Sequence, residues 1–415
     1  MTKTFYTNNR NKLYETVPDG AMLIIFSGLP SHKSADEEFR FFANRNFVYL
    51  TGIDEPDCVL MVRRVRGNLI ETLYIRDLND EQEKWTGRRI RVDEAADCSG
   101  IAFSDITLRS TFDADFNKLA NDTYFDKVYL CLEGNPGQAN TDQNNLFKRK
   151  LSKNYPNIQI CNAFSQIASQ RMIKSSEEIE NIKKAISITH KGIEAMMKMC
   201  KHAKTEMDLF AEFMYVIHKH GAVESAFKPI ISCGGNNFYL HYDTPIGKLI
   251  DGELCLVDVG ARVDNCSVDI SRVFPCNGKF TEKQKVIYNI ALEINNEVTQ
   301  TIKKGMFFSD INELNNKLTF PKLKAAGICS DISELNRYVW HRCSHHIGFD
   351  VHDVGTYEMP LENGMFFSMD MGLYIREWGI GMRIEDDVLM TNNGLSNVSE
   401  AIPRTIEGIE MTMNA

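Results

Sequence analysis

The residues of this chain whose types and spacing could do chemistry are acids and histidines. Asp258 and Asp269 lie eleven positions apart (269 − 258 = 11) in Leu254-Cys-Leu-Val-Asp258-Val-Gly-Ala-Arg-Val-Asp-Asn-Cys-Ser-Val-Asp269-Ile-Ser-Arg272. Apolar β-formers lead up to Asp258, and the polar pair Asp264-Asn265 offers a turn. A reversal near Val263-Asp264 would set the two acids directly opposite one another, with Cβ atoms about 4.5–5.5 Å apart. Carboxylates that close repel, and a cation between them removes the repulsion. A second stretch near the C-terminus repeats the device. Asp370 and Glu385 are symmetric about a reversal that contains Gly379 and Gly381. Between the two units, Trp340 to Gly355 holds His341, His345, His346 and His352, four of the chain's ten histidines.

His345 with Asp258, Asp269, Asp370 and Glu385 would form a set of hard oxygen donors with one imidazole. Such a set suits Mn²⁺ or a similar divalent ion and argues against copper or an iron–sulfur cluster. Four carboxylates exceed what one dication normally neutralises, so two metals sharing bridging carboxylates is the expected count. Metal pairs about 3.5–4 Å apart activate a bridging water in hydrolases, aminopeptidases among them.

The elements that must position these residues are mixed. Candidate strands are Met22–Phe26, Phe47–Leu50, Val59–Val62, Thr72–Ile75, Val128–Leu132 and Ile158–Ile160, with helix-friendly segments such as Asp80–Lys84 and Asp142–Lys153 between them. They predict an N-terminal α/β domain over residues 1–165 and a second domain over 166–415. In the second domain, Ser175 and Glu178 form a capping box that opens a long helix with Ile179, Ile182, Ile186, Ile193 and Met197 on one face. Another capping box, Thr281 with Gln284, opens a helix that presents Val286, Ile290, Ile294 and Val298. Further helices are expected over Met207–His220 and Ile311–Ala325.

Composition excludes several classes. A net charge of −9 over 415 residues argues against a nucleic-acid or anionic-membrane partner. No run of about 18 apolar residues is present to span a membrane. The eleven cysteines are odd in number and carry no C-x-x-C pair, a pattern expected of reduced thiols in a cytoplasm. Cys255, Cys266 and Cys276 flank the first acid pair and are read as small core residues.

Several motifs, in order, resemble the pita-bread metallopeptidases, most closely their aminopeptidase P and Xaa-Pro dipeptidase (prolidase) branch. Asn46-Phe-Val-Tyr-Leu-Thr-Gly52 and Trp85-Thr-Gly-Arg-Arg89 resemble that branch's N-terminal domain. Val257-Asp258-Val-Gly260, Asp269-Ile-Ser-Arg272, Ser344-His345-His-Ile-Gly-Phe-Asp-Val-His352-Asp353, Gly372-Leu-Tyr-Ile and Arg383-Ile-Glu385 resemble its catalytic motifs. The resemblance implies an α+β protein, with a curved, mostly antiparallel sheet covered by helices behind an N-terminal α/β domain. It implies metal ligation by Asp258, Asp269, His345, Asp370 and Glu385, with Zn, Co and Fe as alternatives to Mn. It places His241 and His352 beside the substrate, with His341, Tyr374 and Arg383 supporting the ligands.

Trp85 resembles an aromatic that borders the proline pocket of a neighbouring subunit in related homodimers or homotetramers. A buried structural role is the other reading of that residue. The implied reaction is attack by a metal-bridging hydroxide on the bond before proline, in a peptide with proline at its second position. One departure stands out, since Asp370-Met-Gly372 replaces the family's Glu-Pro-Gly. Aspartate is one methylene short, which raises the alternative of a catalytically weak or non-enzymatic peptide-binding relative.

Overall fold

The structure is a computed structural model that describes residues 1–134 and 142–415. It comprises two compact units, Met1–Gln170 and Arg171–Ala415. The first holds a six-stranded sheet in the order Ile106–Leu108, Asn68–Ile75, Val59–Val65, Ala21–Phe26, Lys127–Leu130, Gln159–Asn162. Its pairings are both parallel and antiparallel. Met22, Ile24, Phe26, Phe112, Phe116, Val128 and Phe147 pack into its core.

One expected strand is a helix. Phe47–Leu50 lies inside the helix Arg45–Thr51, whose first amides are capped by the Asn44 side chain and whose end is closed by Gly52 at φ +73°. Every residue of that helix is buried, so no periodicity separated helix from strand. Trp85 sits on the helix Asp80–Thr86 and is 89% exposed, which removes the buried structural reading.

In the second unit every strand pairing is antiparallel. The first hairpin joins Leu254–Val259 to Ile270–Pro275, and Ile230–Cys233 lies on the other edge of Leu254–Val259. The second joins Phe366–Ile375 to Ile380–Thr391, with Gly394–Asn397 outside. Both capping boxes form, opening the helices Ser176–Cys200 and Glu282–Thr301. On the latter, Val286 is exposed and Ile287 takes the core position.

Buried amides from outside lock the hairpins. Asn295 on Glu282–Thr301 donates to the carbonyls of Met369 and Ile384, neighbours of Asp370 and Glu385. Asn237 donates to Leu254 O and Gly381 O, tying the two hairpins together. A Cβ at Gly381 would lie 3.1 Å from Asn237, so this approach depends on a missing side chain. No described helix is long and apolar enough to cross a membrane.

Candidate metal centre

The first hairpin turns one residue later than expected. Asp264 and Asn265 both have positive φ (+47° and +70°), the signature of a tight two-residue turn. Arg262 therefore faces Ser267, and Asp258 faces Ser271 rather than Asp269. The displacement is two residues, so both acids keep the same face of the sheet as diagonal neighbours. The side chain of Asn181 holds Asp264 from the long helix. In the second hairpin Asp370 does stand directly opposite Glu385.

The sheet brings the predicted donors together. Ligand atoms of Asp258, Asp269 and Glu385 lie within 4.8 Å of one another, as do those of Asp269, His345 and His352. His345 Nε2 is 3.5 Å from Asp269 and 3.6 Å from Glu385. Its Nδ1 lies 3.2 Å from the carbonyl of His346, which favours the Nε2 lone pair as the free donor. The rings of His345 and His352 meet edge to face at 4.4 Å.

Asp370 belongs to neither close group. Its Oδ2 lies 3.2 Å from His341 Nδ1. His341 Nε2 in turn meets the Tyr374 hydroxyl at 3.1 Å, and Trp340 stacks on Tyr374 with ring centres 4.3 Å apart. Arg383 pairs with Asp258 and donates to Ser271 Oγ, which itself donates to Glu385 at 3.1 Å. His241 and His352 line one cavity of about 300 Å³ with Phe227, Ile230, Asp258 and Asp269.

Electrostatics shows what this arrangement lacks. Burial, then Glu385 and Asp258, push the Asp269 carboxyl well above its ordinary range. Burial, then Asp370 and Asp258, do the same to Glu385. Among the described residues, one buried oxygen of each of Asp258, Asp269, Asp370 and Glu385 has no hydrogen-bond partner. Unpaired buried carboxylate oxygens are costly, and hard cations are their natural partners. The donor set therefore fits divalent metal.

Residues that spacing did not single out hold the site from behind. Asp353, fully buried, pairs with Arg171 and lies 2.9 Å from Lys174, while Arg171 reaches Asp350 at 2.8 Å. This cluster pins the loop that presents His352. Asp353→Ala would take the carboxylate from buried Lys174 and leave buried Arg171 to Asp350, and is expected to cost about 3–5 kcal/mol. Urea unfolding checks this, and a loss below about 1 kcal/mol would contradict it. Arg272 binds Asp386 at 2.7 Å and Arg404 binds it at 2.8 Å, with Arg272 also donating to Glu385 O. Sequence alone offered only a run of acids here.

His346, packed between Phe308 and Tyr357, is pushed down to about 4, chiefly by burial and then by Lys174. An unfolded imidazole titrates near 6.5, so from that pH downward the unfolded chain gains a proton the native chain refuses. Stability is thus lost as pH falls from about 6.5 toward 4. His346→Phe should remove this loss, and its stability advantage should grow by about 2 kcal/mol between pH 7 and 5. Melting curves at both pH values test it, and a pH-independent advantage would refute it.

Convergent acids with unpartnered oxygens, an imidazole and a cavity beside them define a metal-dependent enzyme. Comparison with known proteins narrows the class. Residues 180–392 match metallopeptidase family M24, and residues 6–129 match the aminopeptidase P N-terminal domain. The Xaa-Pro aminopeptidase of Escherichia coli K12 is 30% identical, over 100% of this chain and 98% of its own. A Bacillus anthracis structure described as a candidate aminopeptidase P superposes with a TM-score of 0.95 at 38% identity, covering 100% of this chain and 99% of that one. Escherichia coli aminopeptidase P with the inhibitor Pro-Leu gives 0.90 at 29% identity, covering 100% and 98%. The chain belongs to metallopeptidase family M24. Its α+β fold, with an aminopeptidase P-type N-terminal domain, is the one the sequence motifs implied.

Proposed function

We propose that this enzyme hydrolyses the bond between an N-terminal residue and a following proline, as an Xaa-Pro aminopeptidase or dipeptidase. Asp258, Asp269, His345, Asp370 and Glu385 would hold two divalent cations, Mn²⁺ foremost. The observation that carries this reading is the convergence of unpartnered carboxylate oxygens from both hairpins beside His345. The relatives support it, since they are Xaa-Pro aminopeptidases and one was captured with Pro-Leu. When bound, the cations supply Lewis-acid activation of a water and of the scissile carbonyl.

The chain's own groups do the rest. His352 is held down to about 4 by burial and by the imidazoles of His345 and His241, so at neutral pH it is an uncharged N–H donor. It donates to the carbonyl oxygen as negative charge develops there. His241, on the wall of the same cavity, orients the peptide. Asp370 takes a proton from the water and delivers it to the leaving proline nitrogen. His341 aims Asp370, and Tyr374 fixes His341. Arg383 and Ser271 keep Asp258 and Glu385 in place.

Trp85, exposed on its helix, is assigned to the rim of a proline pocket in a neighbouring subunit of a homodimer or homotetramer. Eleven free cysteines support a reducing, cytoplasmic setting.

The test is hydrolysis of Xaa-Pro-Yaa peptides and Xaa-Pro dipeptides with added Mn²⁺, beside Xaa-Ala-Yaa controls and an Asp258→Ala chain. Release of the first residue from proline peptides alone, lost in Asp258→Ala, is the expected result. Equal background rates in both chains would overturn it. Elemental analysis should find two metals per chain.

A further inference from the structure

Glu206 is a fully buried acid outside both groups of ligand atoms, at the start of the helix Glu206–Lys219. Unlike the carboxylates of the metal centre, it has partners on both oxygens. Its Oε1 accepts from the amide of Cys233 at 2.7 Å and from the Asn236 side chain at 2.9 Å. Its Oε2 accepts from the Tyr242 hydroxyl at 2.8 Å and from the amide of Gly247 at 2.6 Å. A carboxylate offers about four acceptor sites, so all are taken. The amide of Glu206 also donates to Gly247 O, and Asn236 donates to the Tyr242 hydroxyl at 3.1 Å.

All four donors belong to one segment, residues 233–247. It leaves the strand Ile230–Cys233 and has no helix or strand of its own beyond the 3₁₀ turn Gly234–Phe238. Such a segment lacks a backbone ladder and takes its course from side-chain hydrogen bonds. A Cβ at Gly247 would lie 2.6 Å from Glu206 Oε1 and 2.5 Å from Asn236 Nδ2, so a missing side chain lets this amide reach the carboxylate.

His241 lies within the segment and is exposed on the cavity wall. Both of its neighbours are tied. Leu240 O accepts at 3.3 Å from Arg383, the guanidinium that pairs with Asp258. On the other side, His241 and Asp243 line the cavity while Tyr242 is turned back to Glu206. The backbone is thus gripped from the metal side and from the interior, on either side of one imidazole.

We propose that Glu206 is a positioning residue for peptide hydrolysis, fixing the segment 233–247 so that His241 meets the substrate at a set place. This role rests on the reading of His241 above as a group that orients the peptide. Being fully buried, Glu206 acts through Tyr242 and the backbone rather than by contact with the peptide.

The experiment compares Glu206→Gln, Gly247→Ala and Tyr242→Phe in the full chain with Mn²⁺, each alone and together with His241→Ala. Glutamine keeps the shape and one acceptor oxygen but sets an amide against one pair of donors. On an Xaa-Pro-Yaa peptide, kcat/KM should fall about ten- to a hundredfold in Glu206→Gln and Gly247→Ala, as a shift of about 1 Å can cost that much. Tyr242→Phe loses a single hydrogen bond and should fall about three- to tenfold. This milder variant keeps the test open should Glu206→Gln fail to fold. In the His241→Ala background each change should alter the rate by less than about twofold, because its effect runs through His241. Hydrogen exchange read by mass should quicken about tenfold or more over residues 234–247 in Glu206→Gln, with the helix Ser176–Cys200 still protected.

Equal fold-losses with and without His241 would overturn the proposal, as would unchanged exchange over 234–247. Full activity in His241→Ala alone would remove the role of His241 and the proposal with it. Should the unaltered chain leave proline peptides intact, the reading of the site above falls, and the exchange measurement alone decides whether Glu206 fixes the segment.

Discussion

Replacing Glu385 with glutamine is expected to cut kcat/KM by about a thousandfold or more while leaving the metal-free fold intact. The neutral amide can still accept from Ser271, as the carboxylate does at 3.1 Å. What it loses is the charge beside His345 and Asp269. A lost metal contact is worth several kcal/mol of transition-state stabilisation, and about 1.4 kcal/mol corresponds to each tenfold in rate. The same change relieves repulsion in the metal-free chain, because Glu385 is one of the groups holding Asp269 above its usual range. Melting temperature with chelator should thus stay level or rise, and the rise on adding Mn²⁺ should shrink. A variant that melts early with chelator would show that Glu385 serves packing rather than metal.

Asp370→Glu should go the other way and raise kcat by about ten- to a hundredfold, since misplacement by about 1 Å can cost that much. Asp370 is opposite Glu385 in register, yet its carboxylate is outside both close groups and its Oδ2 rests by His341. An added methylene extends the carboxylate from the same backbone position toward the others. Steady-state rates on an Xaa-Pro-Yaa peptide decide this. An unchanged or lower kcat, with metal content unchanged, would mean that the aspartate already reaches its working position through local adjustment.

The parts of the site legible in the sequence were those fixed by local rules. The second hairpin could be centred because ten residue pairs run between its strands without a bulge. The first was centred one residue early, since Asp264 and Asn265 adopt positive φ together and no apolar pattern marks which polar residue turns. Its face was still right, because an error of two residues preserves strand parity. Both capping boxes announced their helices. Arg171, Lys174 and Asp353 were not legible as a unit, because their pairing spans some 180 positions and depends on burial no local window displays (353 − 171 = 182). Asn237 and Asn295 escaped for a like reason, as a lone asparagine reads as a turn or surface residue.

Gathering the donors from both hairpins has a bearing on biosynthesis. Asp258 and Asp269 emerge from the ribosome well before His345, and Glu385 comes forty residues after it (385 − 345 = 40). For the 116 residues made between Asp269 and Glu385 (385 − 269 = 116), the nascent polypeptide therefore carries only part of the acidic centre. The four carboxylates can therefore converge only after both hairpins have been made, so the centre is assembled by the fold of the whole unit rather than by either hairpin alone.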